Sequence, residues 1–130
     1  MGIVLFKKQR DFIICVRTDA RGIYNLDEAI NRSKKYIESG ADMIFPEGLT
    51  SLEEFKTFSS SIKKSYPNTF LLANMTEFGK TPYIPFKTFS EIGYDCVIYP
   101  VSTLRITMKA VELFLDDLIL NGTVENSLKK

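Results

Sequence analysis

Histidine is absent from the 130 residues, which removes the commonest general base and the commonest metal ligand together. Any catalysis by this chain falls to carboxylates, Arg, Lys, Tyr or Cys. Cysteine is scarce: Cys15 and Cys96 stand far apart inside apolar stretches with no C-x-x-C spacing, so they read as buried small hydrophobes rather than metal or redox groups. No G-x-G-x-x-G or G-x-x-x-x-G-K-[ST] loop is present to cradle a phosphate, and no nucleophile has a base placed beside it.

An excess of either charge is also missing. Lys and Arg total 17 against 16 for Asp and Glu, a formal charge of +1, so the balance calls for neither nucleic acid nor an anionic membrane as partner. The opening MGIVLFKKQR has only a brief apolar run before Lys7 and Lys8, too short for a signal segment or a membrane span. Position 6 is Phe6, where a myristoylation signal after Gly2 needs Ser or Thr. The expectation is a cytoplasmic chain.

What is present is an ordinary globular composition, 45% hydrophobic, over a length that suits one domain spanning 1–130. Apolar runs of strand length recur at "FIICV" from Phe12, "DMIF" from Asp42, "FLLA" from Phe70 and "CVIY" from Cys96, with starts 30, 28 and 26 residues apart. They are continuous rather than alternating, the pattern of strands in parallel sheets.

Each run is followed by a helical segment. Asn25 as N-cap with Glu28 three residues on opens a helix that Gly40 closes, placing Leu26, Ala29, Ile30, Ser33 and Ile37 on one face. A second helix is expected from Thr50 with Glu53 at its third position, burying Leu52, Phe55, Phe58 or Ser59, and Ile62. Pro85 to Gly93 and about Thr103 to Asn121 supply the third and fourth. Four consecutive βα units predict an α/β fold of parallel strands with right-handed crossovers. Half of a (β/α)8 barrel and an open, flavodoxin-like sheet both fit, since a barrel of roughly 250 residues allots ~31 to each unit.

In either architecture, functional groups gather at the carboxyl ends of the strands. The first strand runs into Arg17, Thr18 and Asp19, the second into Pro46 and Glu47, the third into Asn74, Thr76 and Glu77, and the fourth into Ser102 and Arg105. Two arginines, an amide and a hydroxyl on one rim suit a small substrate with several carboxylates, because guanidinium binds carboxylate through paired charge-assisted bonds. Each residue also has a plain structural reading: Arg17 with Asp19 as a surface ion pair, Asn74 and Thr76 as turn residues, Arg105 as part of a helix's first turn.

The same strand ends carry a resemblance. "VRTDA" at 16–20, "FPEG" at 45–48, "LLANMTEFGKTP" at 71–82 and "YPVSTLR" at 99–105 resemble, in order, the second half of the 2-methylisocitrate lyases, in the isocitrate lyase and phosphoenolpyruvate mutase superfamily. The resemblance runs from about Asp11 to Thr123. It implies strands five to eight of a (β/α)8 TIM barrel, and Mg²⁺-dependent cleavage of 2-methylisocitrate into pyruvate and succinate. By position, Arg17 is then expected at the α-keto-acid half of the substrate, with Glu47, Asn74, Thr76 and Arg105 at the succinate half and Met75 counted among the binding residues.

The departures from the family pattern matter as much. Its serine-glycine-glycine loop, its Mg²⁺-holding aspartates and its K-K-C-G-H segment belong to the first half, and Cys15 and Cys96 are not followed by Gly-His. The family's swapped C-terminal helix is not matched either. These departures imply a lyase-like half-barrel, inactive alone, which binds small di- or tricarboxylates and pairs with a separate first half or with itself. A non-catalytic half-barrel serving interaction or oligomerisation is the rival expectation.

Overall fold

The computed structural model describes residues 12–127. The readings placed on Gly2, Phe6, Lys7 and Lys8 therefore lie outside the described residues. The chain falls into two compact units, one through Tyr99 and one from Pro100 onward.

The first unit contains β1 (Cys15–Thr18), α1 (Ala20–Ile23), α2 (Leu26–Glu38), β2 (Met43–Pro46), α3 (Leu52–Lys63), β3 (Phe70–Asn74), α4 (Phe86–Glu91) and β4 (Cys96–Ile98). The strands form one parallel sheet in the order β1-β2-β3-β4. That sequential order is the arc of a (β/α)8 barrel. It excludes the flavodoxin-like alternative, in which the second strand lies outside the first.

The helices cover one face of this sheet. Ala29 and Ile30 of α2, Phe55, Phe58 and Ile62 of α3, and Phe89 of α4 pack on Ile44, Leu71 and Ala73, all buried. Phe55, Phe89 and Tyr94 meet edge to face, with ring centroids 5.0 to 5.5 Å apart. Among the described residues the buried Tyr94 hydroxyl has no hydrogen-bond partner. An unpaired buried hydroxyl costs free energy that a phenyl ring of the same shape does not. Tyr94→Phe is therefore expected to stabilise the fold by about 1 kcal/mol in chemical denaturation; a loss of stability would mean that an ordered water serves the hydroxyl.

Helix ends follow the local chemistry. Asn25 caps α2, its side chain accepting from the Glu28 N–H at 2.8 Å. α3 begins one residue later than expected: Ser51 rather than Thr50 is its N-cap, accepting from the Glu54 N–H at 3.2 Å. The shift arises because the Glu54 carboxylate reaches back to the Thr50 N–H at 2.8 Å, which ties Thr50 outside the helix.

Two G-x-D turns repeat one device. Gly40 and Gly93, at φ 103° and 88°, end α2 and α4 in left-handed backbone that favours glycine. Two residues on, the Asp42 and Asp95 carboxylates accept the Ile14 and Leu71 N–H groups at 3.0 and 2.8 Å, each tying its strand to the preceding one. β1 accordingly starts at Cys15 rather than Phe12, and Phe12 and Ile13 are exposed.

The opposite sheet face carries no helix of this unit. Register places Cys15, Met43 and Phe70 in one row and Arg17, Phe45, Leu72 and Cys96 in the next, and these side chains are half-buried or exposed. The two cysteines are thus not core residues as their apolar surroundings suggested; both are free thiols on this uncovered face. Burial, and secondarily the Cys96 thiol, raise the pKa of Cys15.

The second unit is α5 (Ser102–Asn121), closed by Gly122 and a turn. Asp117 anchors that turn, accepting from Asn121, Asn126 and Ser127 at 2.7 to 3.2 Å. Among the described residues no helix is long and apolar enough to cross a membrane.

Candidate functional site

Parallel strands that end together bring their following residues to one rim, and on the uncovered face the next register row holds Glu47 and Asn74. A continuous polar network runs along it. The Arg17 guanidinium grips Asp19, its Nη2 donating to Oδ1 at 2.6 Å and its Nε to both oxygens at 3.2 and 3.1 Å. Its Nη1 lies 3.5 Å from Glu47 Oε2, and its Cζ sits 5.3 Å from the centre of the Phe45 ring.

The same Glu47 oxygen accepts from Asn74 Nδ2 at 3.4 Å, and Asn74 Oδ1 accepts from Thr76 Oγ1 at 3.0 Å. Three strand ends are thereby linked side chain to side chain. Hydrogen bonding to Arg17 pulls the Asp19 carboxyl below its usual range, and Asp19 in turn raises Arg17. Arg17 and Asp19 are both about half exposed, so their contact matches the surface-pair reading and adds little to stability.

Beside the network lies a cavity of about 190 Å³ lined by Glu47, Gly48, Asn74, Thr76, Gly79, Lys80 and Thr81. Lys80 escaped sequence reasoning. It stands in the quoted "TEFGKTP" run, but a lysine beside a glycine in a loop carries no signal of its own. The loop reaches it through Phe78, whose φ of 62° is uncommon for a bulky residue. Such backbone costs of order 1–3 kcal/mol and is often found at binding sites. Thr81 ties the loop back, donating to the Leu49 carbonyl at 2.5 Å.

The remaining expected site residues fall elsewhere. Met75 is buried, its sulfur accepting from the Ile84 N–H at 3.3 Å, so its side chain belongs to the packing beneath the rim. Arg105 lies in the first turn of α5, in the second unit, its N–H bonded to the Val101 carbonyl at 3.0 Å. A larger hollow, about 290 Å³, sits at the opposite, amino-terminal strand ends around Asp42 and Thr69–Phe70, where no cationic side chain lines it.

The fit to Mg²⁺ is poor. Among the described residues no group of three or more His, Cys, Asp or Glu side chains comes together, and the rim carboxylates Asp19 and Glu47 both face Arg17. What the rim offers is hydrogen-bond donors and two cations for an anionic ligand.

Comparison with known proteins agrees with the fold. The phosphoenolpyruvate phosphomutase family matches residues 5–119. The 2-methylisocitrate lyase of Aeropyrum pernix is 50% identical over 122 residues, 94% of this chain and 38% of that protein. That of Bacillus subtilis is 52% identical over 100 residues, 77% of this chain and 32% of that one. Among solved structures, oxaloacetate acetylhydrolase superposes with a TM-score of 0.80 at 28% identity, over 88% of this chain and 39% of that one. For 2,3-dimethylmalate lyase, a member of the phosphoenolpyruvate mutase/isocitrate lyase superfamily, the TM-score is 0.77 at 29% identity, over 88% and 39%. The chain thus spans about two fifths of the length of these proteins. With four βα units in barrel order and a family match along most of its length, the chain belongs to the phosphoenolpyruvate phosphomutase family.

Proposed function

We propose that this chain is the carboxylate-binding half of a methylisocitrate-lyase-like carbon–carbon lyase. The observation that carries the reading is the Arg17–Glu47–Asn74–Thr76 network, linked across three strand ends beside a cavity with Lys80 on its wall. In such a lyase the substrate hydroxyl loses a proton, the C–C bond breaks to leave pyruvate, and the succinate carbanion takes up a proton. Arg17 would orient the α-keto-acid portion. Asn74 and Thr76 would hold a succinate carboxylate, and Glu47 would fix Asn74 and Arg17 for that task.

Counting Lys80 on the cavity wall, Arg17 and Lys80 already match the charges of Asp19 and Glu47. An incoming carboxylate therefore needs added cationic charge, which a complementary half would supply. Proton transfer and metal binding are assigned to that half. The uncovered apolar sheet face favours a second reading, a half-barrel whose role is interaction alone.

Calorimetric titration with succinate separates the two. Removing one member of a charge-assisted contact costs ~1.5–3 kcal/mol, so Asn74→Ala and Lys80→Ala are each expected to weaken binding by roughly ten-fold or more. Binding that both variants leave unchanged would remove the rim assignment and leave the interaction role.

A further inference from the structure

The loops after β1 and β2 are joined by a second charged contact that takes no part in the rim network. Arg21, on α1, presents a guanidinium fork to Glu54 in the first turn of α3. Its Nε donates to Oε1 and Oε2 at 3.1 and 3.0 Å, and its Nη2 to Oε1 at 2.7 Å. The Nη2 also donates to Thr50 Oγ1 at 3.0 Å, while Glu54 Oε2 accepts from the Thr50 N–H and hydroxyl at 2.8 and 3.2 Å. Both side chains are largely shielded, 30% and 21% exposed, which sets this pair apart from the half-exposed Arg17–Asp19 contact. Each holds the other charged: Glu54 raises Arg21 and Arg21 lowers Glu54.

The contact lies between the two segments that carry the rim charges. On one side the chain passes from Arg17 through Asp19 to Arg21; on the other it passes from Glu47 through Gly48 to Thr50 and Glu54. The segments touch at backbone. The Glu47 N–H donates to the Thr18 carbonyl at 2.9 Å, and a side-chain carbon on Gly48, whose φ is 78°, would lie 3.8 Å from the Gly22 nitrogen. α1 itself is four residues long and has no side-chain cap. Were stability the sole requirement here, apolar packing would serve as well as a shielded ion pair. A bidentate fork adds geometry, fixing both the distance and the angle between the loops.

We infer that the Arg21–Glu54–Thr50 clamp fixes Glu47 against Arg17, making Arg21 a positioning residue for carboxylate binding at the rim. For its ligand the inference rests on the carboxylate reading above; its mechanical part stands on the loop geometry alone.

Hydrogen exchange of the full 130-residue chain, in whatever assembly it forms, tests the mechanical part. In Arg21→Ala the Glu47 amide is expected to exchange on the order of ten-fold faster, because freeing the loop opens its bond to Thr18. Arg21→Lys should leave exchange fast, since a point charge cannot reproduce the fork, whereas the swapped pair Arg21→Glu/Glu54→Arg should restore much of the protection. The Leu71 and Asp95 amides, at the other end of the sheet, should not change in any variant. Succinate binding tests the positioning part: Arg21→Ala should weaken it roughly ten-fold in the wild-type background and less than about two-fold in Glu47→Gln, because the first change acts through the second residue. Unchanged Glu47 protection in Arg21→Ala overturns the clamp. Equal losses in both backgrounds overturn positioning and leave a structural pair. A wild-type chain that binds neither succinate nor pyruvate would overturn the carboxylate reading and positioning for it, while the exchange result would still decide the clamp.

Discussion

Supplied with 2-methylisocitrate and Mg²⁺, these 130 residues alone are expected to release no pyruvate above the uncatalysed background. Cleavage needs a base for the hydroxyl proton, an electrophile for the oxygen that becomes the pyruvate carbonyl and an acid for the succinate carbanion. The chain has no histidine. Its rim carboxylates Asp19 and Glu47 are engaged by Arg17, and no group of metal-binding side chains comes together among the described residues. Cys15 lies within β1 with its pKa raised, the opposite of what a reactive thiol requires. Tyr94 is sealed in the core, where burial pushes its pKa far up. A coupled pyruvate assay checks this; turnover that follows the purified protein and vanishes in Arg17→Ala would refute it.

The second large effect concerns assembly. Met43, Phe45, Phe70, Leu72 and Ile98 project from the sheet face that no helix of the first unit covers, and leaving such side chains in water forgoes about 25 cal/mol for every Å² that could be buried. Domains are stable by only ~5–15 kcal/mol, so a loss of this kind is not easily carried. Among the described residues β1 and β4 in addition form the two edges of the sheet. Taken by itself the chain is expected to pair with a second copy, to bind a complementary half, or to behave as a loosely packed, aggregation-prone species. Placing a charge on the face with Phe45→Glu or Leu72→Glu should suppress self-association, while Phe58→Ala on the covered face should cost ~3–5 kcal/mol of stability instead. Sedimentation at low micromolar concentration with near-UV circular dichroism distinguishes these; a monodisperse wild-type monomer with rigid aromatic signals would show the face to be satisfied within the chain.

Much of this architecture is legible in the sequence because its signals are local. Asn25 caps α2, Gly40 and Gly93 end helices, and Phe55, Phe58, Ser59 and Ile62 recur at helical spacing on one buried face. The polar residues after each apolar run likewise mark the rim in advance. Features that depend on contacts between distant segments were not legible. The strand limits were set by Asp42 and Asp95 reaching across to the neighbouring strand, and α3 started late because Glu54 holds Thr50. An apolar run cannot say which of its residues face helices, so Cys15 and Cys96 read as core. Arg21 with Glu54, separated by 33 residues, left no local trace, and Lys80 acquires meaning only from the cavity it lines.

Complementation decides whether these residues are half of a lyase site. The chain would be mixed with the purified remainder of a relative's barrel, the part of the Aeropyrum pernix enzyme that this chain does not match, and pyruvate release from 2-methylisocitrate would be followed with Mg²⁺ present. Activity should appear only in the mixture, and fall by roughly ten- to hundred-fold in Asn74→Ala, the loss expected for one charge-assisted contact, while Lys109→Ala on the exposed surface of α5 leaves it intact. A stable complex without turnover, or turnover indifferent to Asn74, would mean that the rim of this half-barrel holds no substrate and that its role is interaction.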